Sequence, residues 1–241
     1  MKVILPVYII NNEILELTKN AIFSLDGHDL IIIDNGSEMG GGYLRALAHT
    51  YIRNNTNLGY AKAVNQGLRI IQDEYLAVAN NDIRVSRNWE QVAMEIFKED
   101  EKIGSVHIRM IDYNDEMQLG KNTWITGRER WCSSSFFVIR NSALPDGLYD
   151  ENYGIGGYED YDFWHRVRHL NGWKTAYTTK ACYQHNHSFT QRTLNQEERK
   201  DRDLKSLEYF KVKWGEYPDI LFQAKYPEQW EKDWKSGFYE L

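Results

Sequence analysis

An α/β fold built on a mainly parallel central sheet is predicted by three features of this 241-residue sequence. Short apolar runs recur at Lys2–Tyr8, Leu30–Ile33, Tyr51–Arg53 and Tyr75–Ala79. Segments with apolar residues at helical spacing separate them. The second and fourth runs stop in polar clusters, Asp34-Asn35-Gly36-Ser37 and Asn80-Asn81-Asp82. Strands alternating with helices form parallel sheets through crossover connections, and ligands of such sheets sit beyond the carboxyl ends of the strands.

Lys2–Tyr8 is apolar almost throughout, as a strand covered on both faces requires. Ile14, Leu17, Ala21, Ile22 and Leu25 then repeat at helical spacing, with Asn11 or Asn12 as cap. A short helix over Gly40–Ala48 and a longer one over Ala61–Ile71, with Ala61, Val64, Leu68 and Ile71 on one face, connect the next strands. Asn88–Phe97 reads as a helix, Val106–Ile111 and Phe136–Ile139 as strands, Tyr158–Leu170 as a helix, and Lys174–Tyr177 and Ala181–Tyr183 as two short strands. Leu204, Leu207, Phe210 and Trp214 mark one face of a charged C-terminal helix expected to pack on the domain. Beyond it, Trp230, Trp234 and Phe238 are expected to pack too, with closure over an acceptor site, self-association or membrane contact as alternatives.

Composition removes several classes. The net charge of −6 gives no basic stripe for nucleic acid. The apolar run at the start is too short to span a bilayer, so a cytoplasmic protein is expected, with peripheral membrane contact as an option. Cys132 and Cys182 are far apart and form no CxxC, the pattern of thiols in a reducing compartment. Aromatic residues reach 14%, including 8 Trp and 16 Tyr, which suits either sugar stacking or a core of large side chains.

Motif chemistry is narrower. No Gly-x-Gly-x-x-Gly follows the first strand, and Gly40-Gly41-Gly42 lacks the Lys-Ser/Thr of a phosphate loop, so hydride transfer and kinase chemistry lose support. Asn80 and Asp82, two residues apart at a strand end, face one way and could meet a hard cation together with substrate phosphates; a self-satisfied turn is the alternative. Gly156-Gly157-Tyr158-Glu159-Asp160-Tyr161-Asp162 opens a helix with three carboxylates beside Tyr153, Tyr158, Tyr161, Phe163 and Trp164. The acids could complement the helix dipole, or one could take a proton from a sugar hydroxyl, its pKa raised by crowding. His185 and His187 follow the last short strand as candidate nitrogen ligands.

In this order the motifs resemble glycosyltransferase family two: Ile4-Leu5-Pro6-Val7-Tyr8, Ile33 to Ser37, Asn57 to Gly67, Asn80-Asn81-Asp82, Ser134 to Arg140, Gly147 to Glu151, Tyr158 to Phe163, Arg166, Gly172-Trp173 and His185. The resemblance implies the GT-A fold, Rossmann-like and nucleotide-diphospho-sugar binding. A catalytic domain would span 1–190, divided into a donor half at 1–100 and an acceptor half at 101–190, followed by a helical, aromatic-rich extension at 191–241. It implies an inverting hexosyl transfer from a nucleotide diphosphate sugar, UDP or dTDP favoured, to a hydroxyl of a glycan or related acceptor, with Mn²⁺ or Mg²⁺ as cofactor.

Under that resemblance Pro6, Val7 and Tyr8 line the nucleoside pocket and Asp34 accepts from the base. Lys62 and Asn65 lie near ribose or diphosphate, with Asn80 and Asn81 beside them. Asp82 and His185 hold the metal, His187 being the alternative ligand. Asp160 is the base, Glu159 positions the acceptor, and Tyr158 and Trp164 contact it. Two departures stand out: Asn80 occupies the place of the commoner first Asp of the metal motif, and Ser134 that of a Gly. A noncatalytic carbohydrate-binding protein on the same fold is the rival reading. A nucleotidyltransferase would need a Gly-rich basic loop after the first strand, and Val7 to Asn12 has none.

Overall fold

The computed structural model describes residues 1–126, 134–186 and 196–215. Among them one sheet runs in the order β3-β2-β1-β4-β8-β6-β9-β5, with β7 paired to β9. The strands are β1 (Lys2–Val7), β2 (Asp29–Asp34), β3 (Thr50–Arg53), β4 (Tyr75–Ala79), β5 (Ile83–Val85), β6 (Ile103–Asp112), β7 (Thr123–Thr126), β8 (Phe136–Arg140) and β9 (Lys174–His185). The first four are parallel neighbours, β8 runs against β4 and β6, and β9 runs parallel to β6, so most strands point one way. This is the mixed α/β architecture expected. The sheet continues across residue 100 without a break, and residue 190 lies outside the described residues.

The helices are α1 (Asn12–Ser24), α2 (Gly41–Leu47), α3 (Tyr60–Leu68), α4 (Trp89–Phe97), α5 (Glu159–His165) and α6 (Gln196–Trp214). Asn11 caps α1, its side chain accepting from the Ile14 amide at 2.9 Å. Successive β1 residues point to opposite faces, and Val3, Ile4 and Leu5 are all fully buried. Val3 and Leu5 join the apolar cluster that holds Trp89, while Ile4 joins the one containing α3 residues and Trp164. Each such side chain contributes roughly 1.5–3 kcal/mol of burial, which is why the run is apolar rather than alternating.

Three local expectations change. The two short strands at 174–183 are one strand, β9, whose partner register jumps from Ile108↔Thr178 to Arg109↔Cys182; the bulge absorbs Thr179, Lys180 and Ala181, the polar interruption that splits the pattern in sequence. Strands β5 and β7 are too short and polar to stand out by pattern, and pairing with β9 defines them. After His165 the Tyr158–Leu170 helix widens into a π turn at Arg166–Leu170.

The C-terminal helix turns most of the expected face inward: Phe210 is buried and Leu207 and Trp214 are half-buried, whereas Leu204 is 61% exposed. Ser206 is buried in addition, and the surface under the helix is acidic. Asp162, fully buried in α5, accepts from Lys213 Nζ at 2.6 Å, Trp214 Nε1 at 2.9 Å and Arg166 Nε at 2.8 Å. Asp150 accepts from Tyr209 Oη at 2.9 Å and Lys213 Nζ at 2.6 Å. Burial alone would raise the Asp150 carboxyl, but Lys213, the Asn152 amide and Tyr209 together hold it at about 2. Asp162 is thus the anchor of α6 rather than a solvent-facing acid that complements a helix dipole. Trp230, Trp234 and Phe238 lie outside the described residues.

Breaking a buried ion pair by removing one partner costs about 3–5 kcal/mol. Asp162→Ala is therefore expected to destabilise by that order, and Leu204→Ala by less than about 0.5 kcal/mol. Urea unfolding of the two variants checks both, and equal costs would contradict the assigned seam.

Candidate active site

The carboxyl ends of β1, β2 and β4 meet at one rim of the sheet, and the loops that leave them are tied together. The Asn35 amide donates to Val7 O at 2.7 Å, and Ser37 Oγ accepts from the Ile9 amide at 2.9 Å. Asn35 also reaches forward: its Oδ1 accepts from the Leu58 amide and its Nδ2 donates to Gly59 O. Asp34 is fully buried, and its carboxylate accepts from Tyr51 Oη at 2.5 Å, from the Ser37 amide at 2.9 Å and from the Arg53 guanidinium. Arg53 stays 45% exposed, so a cation held by Asp34 faces the rim. Tyr51 and Arg53 went unmarked in sequence; their signal is a strand of alternating large polar residues ending level with Asp34.

Next to this rim the chain places Asn80, Asn81 and Asp82 between β4 and β5. Antiparallel pairing of β5 with β9 sets Ile83 opposite His185, and the Asn186 amide donates to Asp82 O at 3.0 Å. Asp82 Oδ1 and His185 Nε2 consequently lie 3.3 Å apart, both residues buried. Asn80 Oδ1 and Asp82 Oδ1 are buried acceptors to which no described residue donates a hydrogen bond. Buried acceptors normally have partners, so two together beside an imidazole fit the donor set of a divalent cation. Among the described residues no group of three His, Cys, Asp or Glu could hold a metal alone, so ligands from a substrate would have to complete it. His187 lies outside the described residues.

The acidic pair opens α5. Gly156 and Gly157 have φ of +146° and +108°, and Tyr158 adopts the left-handed conformation at φ +66°, a rare state for a bulky residue. That turn folds the Glu159 carboxylate back onto the Gly157 amide, which donates to it. Glu159 is buried, Asp160 is partly exposed, and Asp160 Oδ1 accepts from the Tyr161 amide at 2.9 Å. Burial, then the charge of Asp160, pushes Glu159 up to about 7; burial pushes Asp160 up to about 6. The phenols of Tyr60 and Tyr149, whose ionisation these two acids disfavour, are driven upward mainly by burial and stay neutral.

The residues leading into β8 bond both the Asn80 strand end and the phenols whose ionisation the acid pair disfavours. Ala79 pairs with Phe136, and the Asn80 amide donates to Ser135 O at 2.7 Å. Ser134 O accepts from Tyr60 Oη at 2.8 Å, while its Oγ accepts from Trp164 Nε1 at 3.0 Å and from Tyr149 Oη at 3.3 Å. The hydroxyl of Ser134, where a Gly was the commoner residue, thus satisfies two buried aromatic donors.

Several expected site residues have other duties. Trp164 is 1% exposed in the core, its indole spent on Ser134, so it is no acceptor wall. The buried Asn65 side chain bonds Tyr149 N and O and Glu151 Oε1, which staples α3 to the 149–151 segment instead of facing ribose or diphosphate. Asn81 Nδ2 donates to Thr18 Oγ1 in α1, away from a donor site. Val7 is in the core, whereas Pro6 and Tyr8 are half-buried at the rim. Lys62 is half-buried on the first turn of α3, where its charge acts on Glu151, and Tyr158 is half-buried against Tyr161. Much of the aromatic surplus is core: Trp89, Trp164, Tyr149, Tyr183, Phe136 and Phe137 are fully buried.

Solved structures share this architecture. TarS 1–349 of S. aureus in complex with UDP-GlcNAc is 14% identical with a TM-score of 0.68, over 98% of this chain and 74% of that one. The mannosyltransferase PcManGT of Pyrobaculum calidifontis, in complex with GDP-Man and Mn²⁺, is 15% identical with a TM-score of 0.62, over 93% and 68%. GalNAc-T7 with UDP, GalNAc and Mn²⁺ is 16% identical with a TM-score of 0.63, over 97% and 52%. At such identities the likeness establishes a shared GT-A fold. A comparison with curated proteins finds no match. The model of Glycosyl transferase family 2 matches residues 2–197, which takes in the rim, the Asp82–His185 pair and the acidic pair, and the chain belongs to that family.

Proposed function

We propose that this glycosyltransferase moves a hexosyl group with inversion from a nucleotide diphosphate sugar to a hydroxyl of a glycan or related acceptor, with Asp160 as general base. The observation that carries the reading is an acid pair of raised pKa, Glu159 buried and Asp160 partly exposed, whose neighbours Tyr60 and Tyr149 bond Ser134 beside the Ser135–Asn80 link to the strand end of Asp82 and His185. The GT-A neighbours holding UDP-GlcNAc, or GDP-Man with Mn²⁺, support the donor class. A uridine or thymidine diphosphate is favoured.

The acceptor oxygen attacks the anomeric carbon while its proton passes to Asp160, and the bond from that carbon to the diphosphate oxygen breaks. Asp160 suits the role because its carboxylate is partly exposed, whereas Glu159 is buried and tied to the Gly157 amide, which fits it for orienting. A pKa near the working pH lets the base be ionised and still accept a proton. Asp82 and His185 would hold Mn²⁺ or Mg²⁺, which when bound neutralises the departing diphosphate. Asp34, with Tyr51 and Arg53, would face the base, and Pro6 and Tyr8 its edge. Asn80, neutral where an acid is commoner, favours a second reading, a noncatalytic sugar-binding protein; that reading gives the acid pair no task.

Asp160→Asn is expected to lower transfer by roughly 10²–10⁴ and leave donor affinity unchanged, checked by kinetics and donor titration. Glu159→Gln, which keeps the hydrogen-bonding shape, should act largely through acceptor KM. If Asp160→Asn transfers at the parent rate, the base is another group.

Stability gives a check independent of turnover. A carboxyl with a raised folded pKa stabilises the fold fully below its unfolded pKa, near 4, and that contribution is lost as pH rises through about 6. Asp160→Asn should therefore melt above the parent at pH 8 and level with it at pH 4. Coincident melting curves at both pH values would contradict the raised pKa.

Nucleoside diphosphate binding should depend on the cation, since a net charge of −6 and two ligands offset little phosphate charge. UDP at a hundred times its Kd should stabilise by about 2.7 kcal/mol with Mn²⁺ present, and far less in excess chelator or in Asp82→Asn. Equal stabilisation in chelator would remove Asp82 and His185 from the donor site.

A further inference from the structure

Helix α6 does more than cover the domain, because its first half lies against the turn that aims the acidic pair. Ser206 is buried there and its Oγ donates to Tyr153 O at 3.3 Å. Asp203 Oδ1 sits where a side chain on Gly157 would point: an added Cβ would meet it at 3.3 Å and Ser206 at 3.7 Å. Arg202 Nη2 and Nε hold that same Asp203 oxygen at 2.9 and 3.2 Å, and the Arg202 side chain is 16% exposed. The Gly157 amide is the donor to Glu159, so Asp203 lies against the residue whose amide holds that carboxylate.

We propose that Arg202 and Asp203 are positioning residues for the transfer: Asp203 packs the Gly157 peptide against the Glu159 carboxylate, and Arg202 locks Asp203 while setting a positive charge beside the acid pair. The proposal rests on the reading of Glu159 and Asp160 as acceptor-side acids. Among the described residues, the charged and titratable groups near Glu159 include the Asp203 carboxylate of α6, which Arg202 holds beside Gly157. Asp160 comes from its own helix, Tyr60 from α3 and Tyr149 from the segment before α5, both neutral phenols, and Arg202 from α6, whose charge draws the Glu159 carboxyl downward against the larger effect of burial. Lys213, further along α6, is engaged by Asp150 and Asp162. Among the described residues of α6, Arg202 is the cation whose charge bears on Glu159, and it draws that carboxyl downward, so a larger share of it is ionised near neutral pH. With Glu159 ionised, it can accept a hydrogen bond from an acceptor sugar while Asp160 takes the reacting proton.

The test is a carboxyl ¹³C NMR titration of the whole chain, the Glu159 signal being the one lost in Glu159→Gln. Arg202→Met is expected to raise the Glu159 midpoint by about one pH unit, and Arg202→Lys to return it close to the parent value. The acidic limb of kcat/KM against pH should move upward in Arg202→Met alone, with little change in donor affinity. Should Arg202→Met fold poorly, Arg202→Gln removes the same charge with a polar side chain and carries the same expectation. A Glu159 midpoint unmoved by loss of the guanidinium overturns the proposal. The titration needs no turnover, so a parent that transfers no sugar would sink the reading of the site and leave this measurement intact.

Discussion

The site depends on one close approach between backbones. Gly59, at φ +89°, lies so near the 154–155 segment that a Cβ on it would fall 2.3 Å from Gly154 O and 2.7 Å from Ile155 Cα. No side chain fits there. The Tyr60 amide completes the junction by donating to Ile155 O at 3.3 Å. On one side of this contact stand the loops of the strand-end rim, which Asn35 ties to Leu58 and Gly59; on the other begins the turn that carries Glu159 and Asp160. A small shift at Gly59 would therefore change how the strand-end rim and the Glu159–Asp160 turn sit together, and the proposed displacement would be sensitive to that geometry.

Charge is arranged on the same plan. Near the sheet edge Asp34 is neutralised by Arg53 and Tyr51; under the C-terminal helix Asp150 and Asp162 are neutralised by Lys213 and Arg166. Asp150 and Asp162 anchor the C-terminal helix. Among the described residues Glu159 and Asp160 make no close ion pair, and their pKa values are raised, while Asp82 faces an imidazole with an oxygen to which no described residue donates a hydrogen bond. Carboxylates left poised while others are neutralised mark candidates for a functional site.

The parallel half of the fold was legible because its strands are buried on both faces and end in polar clusters, a pattern the chain writes locally. Strand β9 was legible only in pieces, since its bulge at Thr179 to Ala181 interrupts the apolar run, and β5 and β7 exist by virtue of pairing that no local pattern records. The same division applies to the site. The positions of Glu159, Asp160, Asp82 and His185 follow from motifs at element ends. Trp164, Asn65 and Asn81 share those motifs and yet point into the core or across to α1, because side-chain direction is set by neighbours distant in sequence such as Ser134, Tyr149 and Thr18. On α6 the apolar spacing misled only at Leu204: the buried Asp162 and the half-buried Asp150 hold Tyr209, Lys213 and Trp214 at the other end of the helix.

The central claim is that the Asp82–His185 strand end and the Glu159–Asp160 turn are the two walls of one reaction cleft. A crystal structure of the chain with UDP and Mn²⁺ measures this directly through the anomalous signal of the metal. The account predicts a single strong peak bonded to Asp82 and to the diphosphate, with His185 on the same ion and the distal phosphate open toward Asp160. A diphosphate bound elsewhere on the domain, or metal bound without contact to Asp82, would contradict it.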